Sequence, residues 1–362
     1  MTLRPLYGFS ELRKRLAESV NSGQLPASLL MQGARGVGKQ RLALWLGQLL
    51  LCERVGPENL TEPCGSCIHC RYVLRGQHPD LHWFFPRPRL KEANVEIADV
   101  KADLAEAISE RMQHDGLWIT PPGTDGVHVA SVRALVQLAS MRPAMAKRAV
   151  FVVGDAERMV SQLGADQAAN AFLKLLEEPP PDTTIILTTS EPGALLPTIK
   201  SRVVSIRVPL AQPADVVAFL DDPAVAKKLK GISREQAIAS SAGAPGVLLG
   251  AESTTASFAN ARRMLDAALG PPGSQGDGER IKVAARHGVS GARGSFTDTL
   301  DALTILLHDR ARNLAIGGQQ RLARRTAQAV VAVESAKEKA QGNVSPQLLS
   351  ASLVASLHEL LN

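Results

Sequence analysis

Residues 33–40 read GARGVGKQ, and this octapeptide narrows the choice of fold more than any other stretch of the chain. The pattern G-x-x-x-x-G-K wraps backbone N–H groups and the first turn of a helix around a phosphate, so it works only between a buried strand and a helix. Both flanks are present. Ser28 to Gln32 is a short apolar run ending at Gly33, and Lys39 to Leu51 carries Leu42, Trp45, Leu46 and Leu49 at helical spacing. Two further runs, AVFVVGD (Ala149 to Asp155) and TTIILTTS (Thr183 to Ser190), are rich in β-branched residues, as strands buried in a parallel sheet are. Between them Gln167 to Glu178 has helical periodicity and stops at Pro179-Pro180-Pro181, which cannot continue a helix. Strands alternating with helices predict an α/β domain of the P-loop kind.

A chain of 362 residues exceeds one ordinary domain, and with 4% aromatic residues it suits helices on helices or on a parallel sheet better than an all-β sandwich. After Pro209 the sequence turns to short Ala-rich helical segments through Gly250, which predicts a small helical domain. From Ala251 onward the helical pattern persists: Phe296, Leu300, Leu303, Leu307, Ala311 and Leu314 fall on one face, a stripe that serves either a core or a subunit interface. A Pro/Gly-rich break spans Gly270 to Gly278, and Ser345-Pro346 is a start signal for a last helix. Between Pro86 and Gly126 a charged segment repeats Ile97, Val100, Leu104, Ile108 and Met112 at helical spacing and ends in Pro121-Pro122-Gly123, which predicts an inserted helix. The expected domains are 1–208, carrying a cysteine module at about 52–70 and the insertion at about 86–126, then 209–250 and 251–362.

Lys and Arg total 41 against 35 acids, a net charge of +6 that is compatible with a polyanionic partner, though no Lys/Arg tract marks a nucleic-acid tail. The first twenty residues lack a signal-type apolar core. The most apolar run, Leu42 to Cys52, is interrupted by Gly47 and Gln48 and falls short of the roughly 20 residues a membrane span needs, so a cytoplasmic chain with no membrane role is expected. All four cysteines lie between positions 52 and 70. In a reducing compartment that clustering argues for metal ligation. Cys64, Cys67 and Cys70 are spaced two apart, and with Cys52 they supply the four thiolates of a closed, structural Zn²⁺ site. An iron–sulfur cluster is the rival, but no electron-transfer motif accompanies it; His69 reads as a bystander. A free-standing zinc-ribbon nucleic-acid binder would carry bases among the cysteines, whereas here Glu53, Glu58 and Glu62 face Arg54 alone.

The glycine loop keeps its cradle, Gly33, Gly36 and Gly38 with Lys39, but Gln40 stands where a Ser or Thr hydroxyl should hold Mg²⁺. The glycines fit either a degenerate nucleotide site or a tight turn with no ligand. At the end of the strand Ala149 to Val153, Asp155 occupies the position of a metal-binding acid. The next residue, where a catalytic base is needed, is Ala156; Glu157 reads as a solvated residue of a first helical turn. Loss of the hydroxyl and the base together predicts no intrinsic ATPase, and ATP and Mg²⁺ binding stays an open question.

Taken together, the opening GFSELRKRLAESVNSGQLPASLLMQG, the loop, the cysteine module behind the loop helix, Gln77-His78-Pro79-Asp80, and ANAFLKLLEEPPPDTTIILTTSEP…LLPTIKSR (Ala169 to Arg202) resemble the AAA+ subunits of the bacterial DNA polymerase III sliding-clamp loader, and among them the delta-prime type. The resemblance covers most of residues 1–208 and thins to SAGAPGVLLG (Ser241 to Gly250) beyond. It implies a RecA-like nucleotide domain, a helical lid and a helical collar. It also implies a hetero-pentameric ring with ATPase (gamma/tau) and clamp-opening (delta) subunits, acting on the sliding clamp and primed DNA. Within the family the catalytic subunits keep the loop Thr and the Asp-Glu pair, and this chain departs from them at both places; Gly246 also stands where an active lid would offer an Arg. Ser201-Arg202 matches the family's Ser-Arg motif, which implies that Arg202 acts in trans as an arginine finger on a neighbour's ATP. An active gamma/tau-type ATPase is the alternative.

Overall fold

The computed structural model describes residues 2–55, 61–90, 95–118, 126–159, 167–229, 234–271, 278, 280–283, 293–341 and 345–361. Glu58, the Pro121-Pro122-Gly123 exit and most of the Gly270 to Gly278 break lie outside these residues. The described chain divides into two compact units, with the boundary along the chain between Leu249 and Gly250.

The first unit is built on five parallel strands, β1 (Ser28–Gln32), β2 (Leu81–Phe84), β3 (Ala149–Val153), β4 (Thr183–Thr189) and β5 (Val204–Arg207), in the order β2-β3-β4-β1-β5. The register pairs Leu81 with Val150, Ala149 with Thr183, Ser28 with Ile185 and Leu29 with Val204. Strands β1, β3 and β4 are the three apolar runs of the sequence, and they are buried almost end to end because helices cover both faces. The two edge strands are four residues each. β2 is interrupted by His82, and β5 is largely exposed, so neither carries the continuous apolar pattern of its neighbours.

Helix α1 (Ser10–Asn21) turns Leu12, Leu16 and Ala17 inward, and α2 (Lys39–Leu51), which follows the glycine loop, is buried along most of its length. Short α3 (Ile68–Leu74) closes the cysteine module. The insertion forms α4 (Ile97–Gln113), with Val100, Leu104 and Met112 buried as the spacing predicts, and Arg111 buried with them. α5 (Val129–Ala139) leads to β3 through a loop whose backbone N–H groups at Ala144, Met145 and Ala146 all donate to the buried Asp80 carboxylate, at 2.5, 2.8 and 2.6 Å. Burial alone would raise that carboxyl; the three donors hold it below the usual range. α6 (Gln167–Glu177) and the single turn α7 (Pro197–Lys200) flank β4. Three short helices follow, α8 (Pro213–Leu220), α9 (Pro223–Lys228) and α10 (Arg234–Ser241), then a 3₁₀ segment Pro245–Gly250; Phe219, Val225, Leu229, Ala237 and Leu248 give them a small core that also takes in Leu117 from the end of the insertion.

The described residues of the second unit are mainly helical, with α11 (Ala251–Leu269), α12 (Arg293–Ile316), α13 (Gln320–Gln341) and α14 (Pro346–Leu361). Phe296, Leu300, Leu303 and Leu307 of the predicted stripe meet Met264, Val333, Leu353 and Leu357 in one core, whereas Ala311 and Leu314 are only half-buried. Among the described residues no helix is long and apolar enough to cross a membrane.

Candidate functional site

Open parallel sheets bind ligands beyond the carboxyl ends of their strands, and the glycine loop leaves β1 at that edge. Gly36 and Gly38 take φ of +76° and +104°, values a side chain would strain. Lys39, however, does not extend toward a phosphate position. It is 5% exposed, and its Nζ donates to the carbonyls of Gly33 and Ala34 and to Ser190 Oγ, each at 2.9 Å. An ammonium has three N–H donors, so this one is spent on its own loop and on the end of β4. Val37 N–H also turns inward, to the Ala34 carbonyl at 3.3 Å.

The mouth of the loop is covered by the same unit. Gly246 N–H donates to the Gly36 carbonyl at 2.8 Å, and a Cβ at position 246 would stand 2.5 Å from that oxygen. A Cβ on Gly36 would stand 2.7 Å from the Val247 nitrogen. Residues 246 and 247 thus rest directly on the backbone of the glycine loop. Straps hold this cover. Arg4 pairs with the buried Asp222 through Nε at 2.8 Å and Nη2 at 2.6 Å, Tyr7 Oη donates to the same carboxylate, and Lys228 Nζ donates to the Leu117 carbonyl at 3.3 Å. Burial, followed by the Asp222 hydrogen bond, raises the Tyr7 phenol to about 12.

Gln40 has a partner of its own. Its amide lies flat on Gly154 beyond β3, where a Cβ would come within 2.6 Å of its end atoms, and Oε1 accepts from Trp83 Nε1 at 3.2 Å. Asp155 sits at a φ of +49° just beyond Gly154. Glu157 is not solvated, contrary to the sequence expectation: Oε1 accepts the Ser190 N–H at 3.0 Å and Oε2 is shut off from solvent. The 3₁₀ turn Ala156–Arg158, which replaces the expected first turn of an α-helix, swings it inward. Burial, then the charge of Asp155, raises the Glu157 carboxyl to about 7. Beside these residues, Arg111 of α4 is 2% exposed and stacks on Phe85, Trp83 and Trp118, its carbon centre 3.3, 4.6 and 4.9 Å from the ring centroids. Desolvation lowers this guanidinium to about 9. The cluster HWFFP (His82 to Pro86), in a chain with few aromatics, was the available signal for this cage.

The four cysteines converge: the sulfurs of Cys52, Cys64, Cys67 and Cys70 all lie within 4.8 Å of one another. Tetrahedral Zn–S bonds of about 2.3 Å place sulfurs about 3.8 Å apart, and Cys64 and Cys70 are already at 3.9 Å. Backbone N–H groups of Cys64, Cys67 and Cys70 point at the sulfurs of Cys52, Cys64 and Cys67, at 3.5, 3.3 and 3.4 Å. The donor set fits a metal ion. His69 is outside the set, its Nδ1 2.8 Å from His78 Nε2 and its Nε2 3.4 Å from Glu53.

Ser201 and Arg202 lie between α7 and the edge strand β5. Arg202 Nε donates to Glu177 Oε2 at 3.1 Å, and its Nη1 donates to the Thr198 carbonyl at 2.9 Å. The P-loop residues, Asp155 and Glu157 are therefore gathered at one edge of the sheet, with the cysteine cluster and Arg202 as separate sites.

A sequence model of the family described as DNA polymerase III, delta subunit, matches residues 9–212, more than half of the chain. The chain belongs to this family. Its relatives specify the delta-prime type: subunit delta' of DNA polymerase III from Bacillus subtilis is 29% identical over 200 residues, 55% of this chain and 47% of the relative. The subunit of the same name from Pseudomonas aeruginosa is 31% identical over 221 residues, 60% and 52% of the two chains. Subunit tau from Salmonella typhimurium is 28% identical over 202 residues, 56% of this chain and 24% of that one. The chain spans about half the length of the delta' relatives it matches. A solved gamma subunit-related protein of DNA polymerase III from Thermotoga maritima aligns over 98% of this chain and 100% of its own, with 18% identity and a TM-score of 0.36.

As a member of the family the chain has features that its motifs did not reveal. Ser190, Glu157, Trp83 and Gly246 all meet the loop or its neighbours, yet the sequence singles out only Gly246 and Glu157, and it predicts Glu157 to be solvated. Ser190 ends the run TTIILTTS, and its role depends on β4 lying beside β1, which no local pattern encodes.

Proposed function

We propose that this chain is a non-hydrolysing subunit of a DNA polymerase III clamp loader. In this reading it is a fixed member of a hetero-pentameric ring with gamma/tau-type ATPases and a delta-type clamp-opening subunit, and helps place the sliding clamp on primed DNA. The residues 209–250 act as a lid and 251–362 as the collar through which subunits join. The observation that carries the proposal is the state of Lys39: all three ammonium donors are satisfied within the protein while Gly246 closes the loop, so the cradle Gly33, Gly36, Gly38 offers a phosphate little. Gln40 and Ala156 support it, since neither the Mg²⁺ hydroxyl nor the adjacent catalytic base is present, and Asp155 alone would make a poor metal site. Cys52, Cys64, Cys67 and Cys70 hold a structural Zn²⁺ in this reading. Ser201 and Arg202 at the sheet edge supply a guanidinium in trans to the γ-phosphate of a neighbour's ATP.

The test has two arms. Purified chain should show no ATP turnover above background and no saturable binding of a fluorescent ATP analogue, whereas steady turnover would move the reading to an active gamma/tau-type ATPase. In a loader reconstituted with ATPase and clamp-opening subunits, Arg202→Ala should assemble normally and lower clamp- and DNA-stimulated hydrolysis. Full activity of that ring would reduce Arg202 to a surface residue.

A further inference from the structure

An arginine on a protein surface is ordinarily free to sample many rotamers, but Arg202 is tied at three points. Its Nε reaches Glu177, and its Nη1 reaches the Thr198 carbonyl at 2.9 Å and Ser201 Oγ at 3.4 Å. None of the described residues accepts from Nη2, so two N–H donors remain on a guanidinium whose plane is fixed. The anchors sit in hydrogen-bonded turns. Glu177 is the last residue of α6, where Glu178 N–H still bonds to the Lys174 carbonyl and the three prolines stop the chain. Thr198 belongs to α7, begun by Pro197, and the turn is closed by Ser201 N–H on the Pro197 carbonyl at 2.9 Å.

Stability does not account for Glu177. The acid side chain is 59% exposed and its partner 29% exposed, and an ion pair in that setting contributes little. A carboxylate in the last turn of a helix also faces the negative end of the helix dipole. The placement is mildly unfavourable for α6 and makes sense through Arg202, which stands just before β5, the edge strand whose Val204 is half exposed.

We propose that Glu177 is a positioning residue for Arg202: by holding Nε, with Thr198 and Ser201 holding Nη1, it leaves Nη2 presented to an oxyanion, the γ-phosphate of ATP bound by an adjoining subunit. This rests on the finger reading of Arg202. Pre-orienting a long side chain removes the need to order it in the transition state, so its effect falls on turnover and not on ATP affinity.

The experiment uses the reconstituted loader, with zinc content and ring assembly of each variant verified first. Glu177→Ala should lower the kcat of stimulated ATP hydrolysis about three- to tenfold with KM for ATP unchanged, and Glu177→Gln, which keeps an acceptor for Nε, should recover most of it. Placed on top of Arg202→Ala, Glu177→Ala should cost nothing more. Unchanged kcat for Glu177→Ala, in a ring that Arg202→Ala does slow, overturns the positioning role and leaves the finger standing. A further loss in the double variant shows that Glu177 acts by another route and also overturns it. Full activity of Arg202→Ala removes the finger, and the inference with it.

Discussion

Lys39 shows how one side chain can keep its place in a motif and change its task. With Nζ bonded to the Gly33 and Ala34 carbonyls and to Ser190 Oγ, removal of this buried side chain takes a charged donor from three part-buried acceptors. Lys39→Ala should therefore destabilise the protein by about 1–3 kcal/mol, read from urea unfolding; a variant as stable as the parent would mean the bonds are incidental. Glu157 offers a second test at this scale, because burial and Asp155 raise its carboxyl to about 7 in the fold. Between the unfolded value near 4.5 and about 7 the folded chain binds the extra proton, so this group's contribution weakens the fold as pH rises through that window and the penalty is complete above it. Glu157→Gln should add stability at pH 8, on the order of 2–3 kcal/mol, and little at pH 4. His82 works in the opposite sense. Burial, then Lys101, lowers it to about 4, so its contribution is lost as pH falls from the unfolded value near 6.5. The two slopes offset one another in the parent, and the Gln variant should accordingly show the steeper acid loss. A variant that tracks the parent at every pH would contradict the raised carboxyl.

The elements divide sharply in how far their residues announce them. Strands β1, β3 and β4 are readable because both faces are buried and their apolar runs are unbroken; β2 and β5 are edges, which need only one neighbour and tolerate His82 or an exposed Val204. The cysteine cluster was legible from spacing alone. The cover on the loop was not, since the contact of Gly246 with Gly36 joins residues 210 positions apart and depends on how α8, α9 and α10 fold back. Gly246→Ala would drive a methyl group to 2.5 Å from the Gly36 oxygen, and neither backbone can yield without moving the 3₁₀ segment. We expect a loss of about 1–3 kcal/mol and faster protease cleavage in residues 240–250; unchanged cleavage would show that the segment does not rest on the loop. For the cysteine module, metal analysis should return one zinc per chain. Cys67→Ser or chelation should lower the unfolding midpoint and reduce the helical signal of α3, because a loop of this size has few apolar contacts of its own. Protein that contains no metal yet melts like the parent would refute a structural ion.

At the scale of the whole molecule, the two units carry separate cores: one around the sheet, the other from Ala261 to Leu361. A chain ending at Leu249 should keep its zinc and a cooperative unfolding transition, and should fail to enter the ring if the collar reading is right; its incorporation would place the joining surface in the first unit. The filled loop has a pharmacological consequence. In the proposed reading, a compound designed to mimic triphosphate in the ATPases of such an assembly would find Lys39 already bonded to its own loop and Gly246 resting on Gly36. On that reading its titration endpoint would count the hydrolysing neighbours alone, and a dose calculated from the number of glycine-loop sequences in the assembly would overshoot.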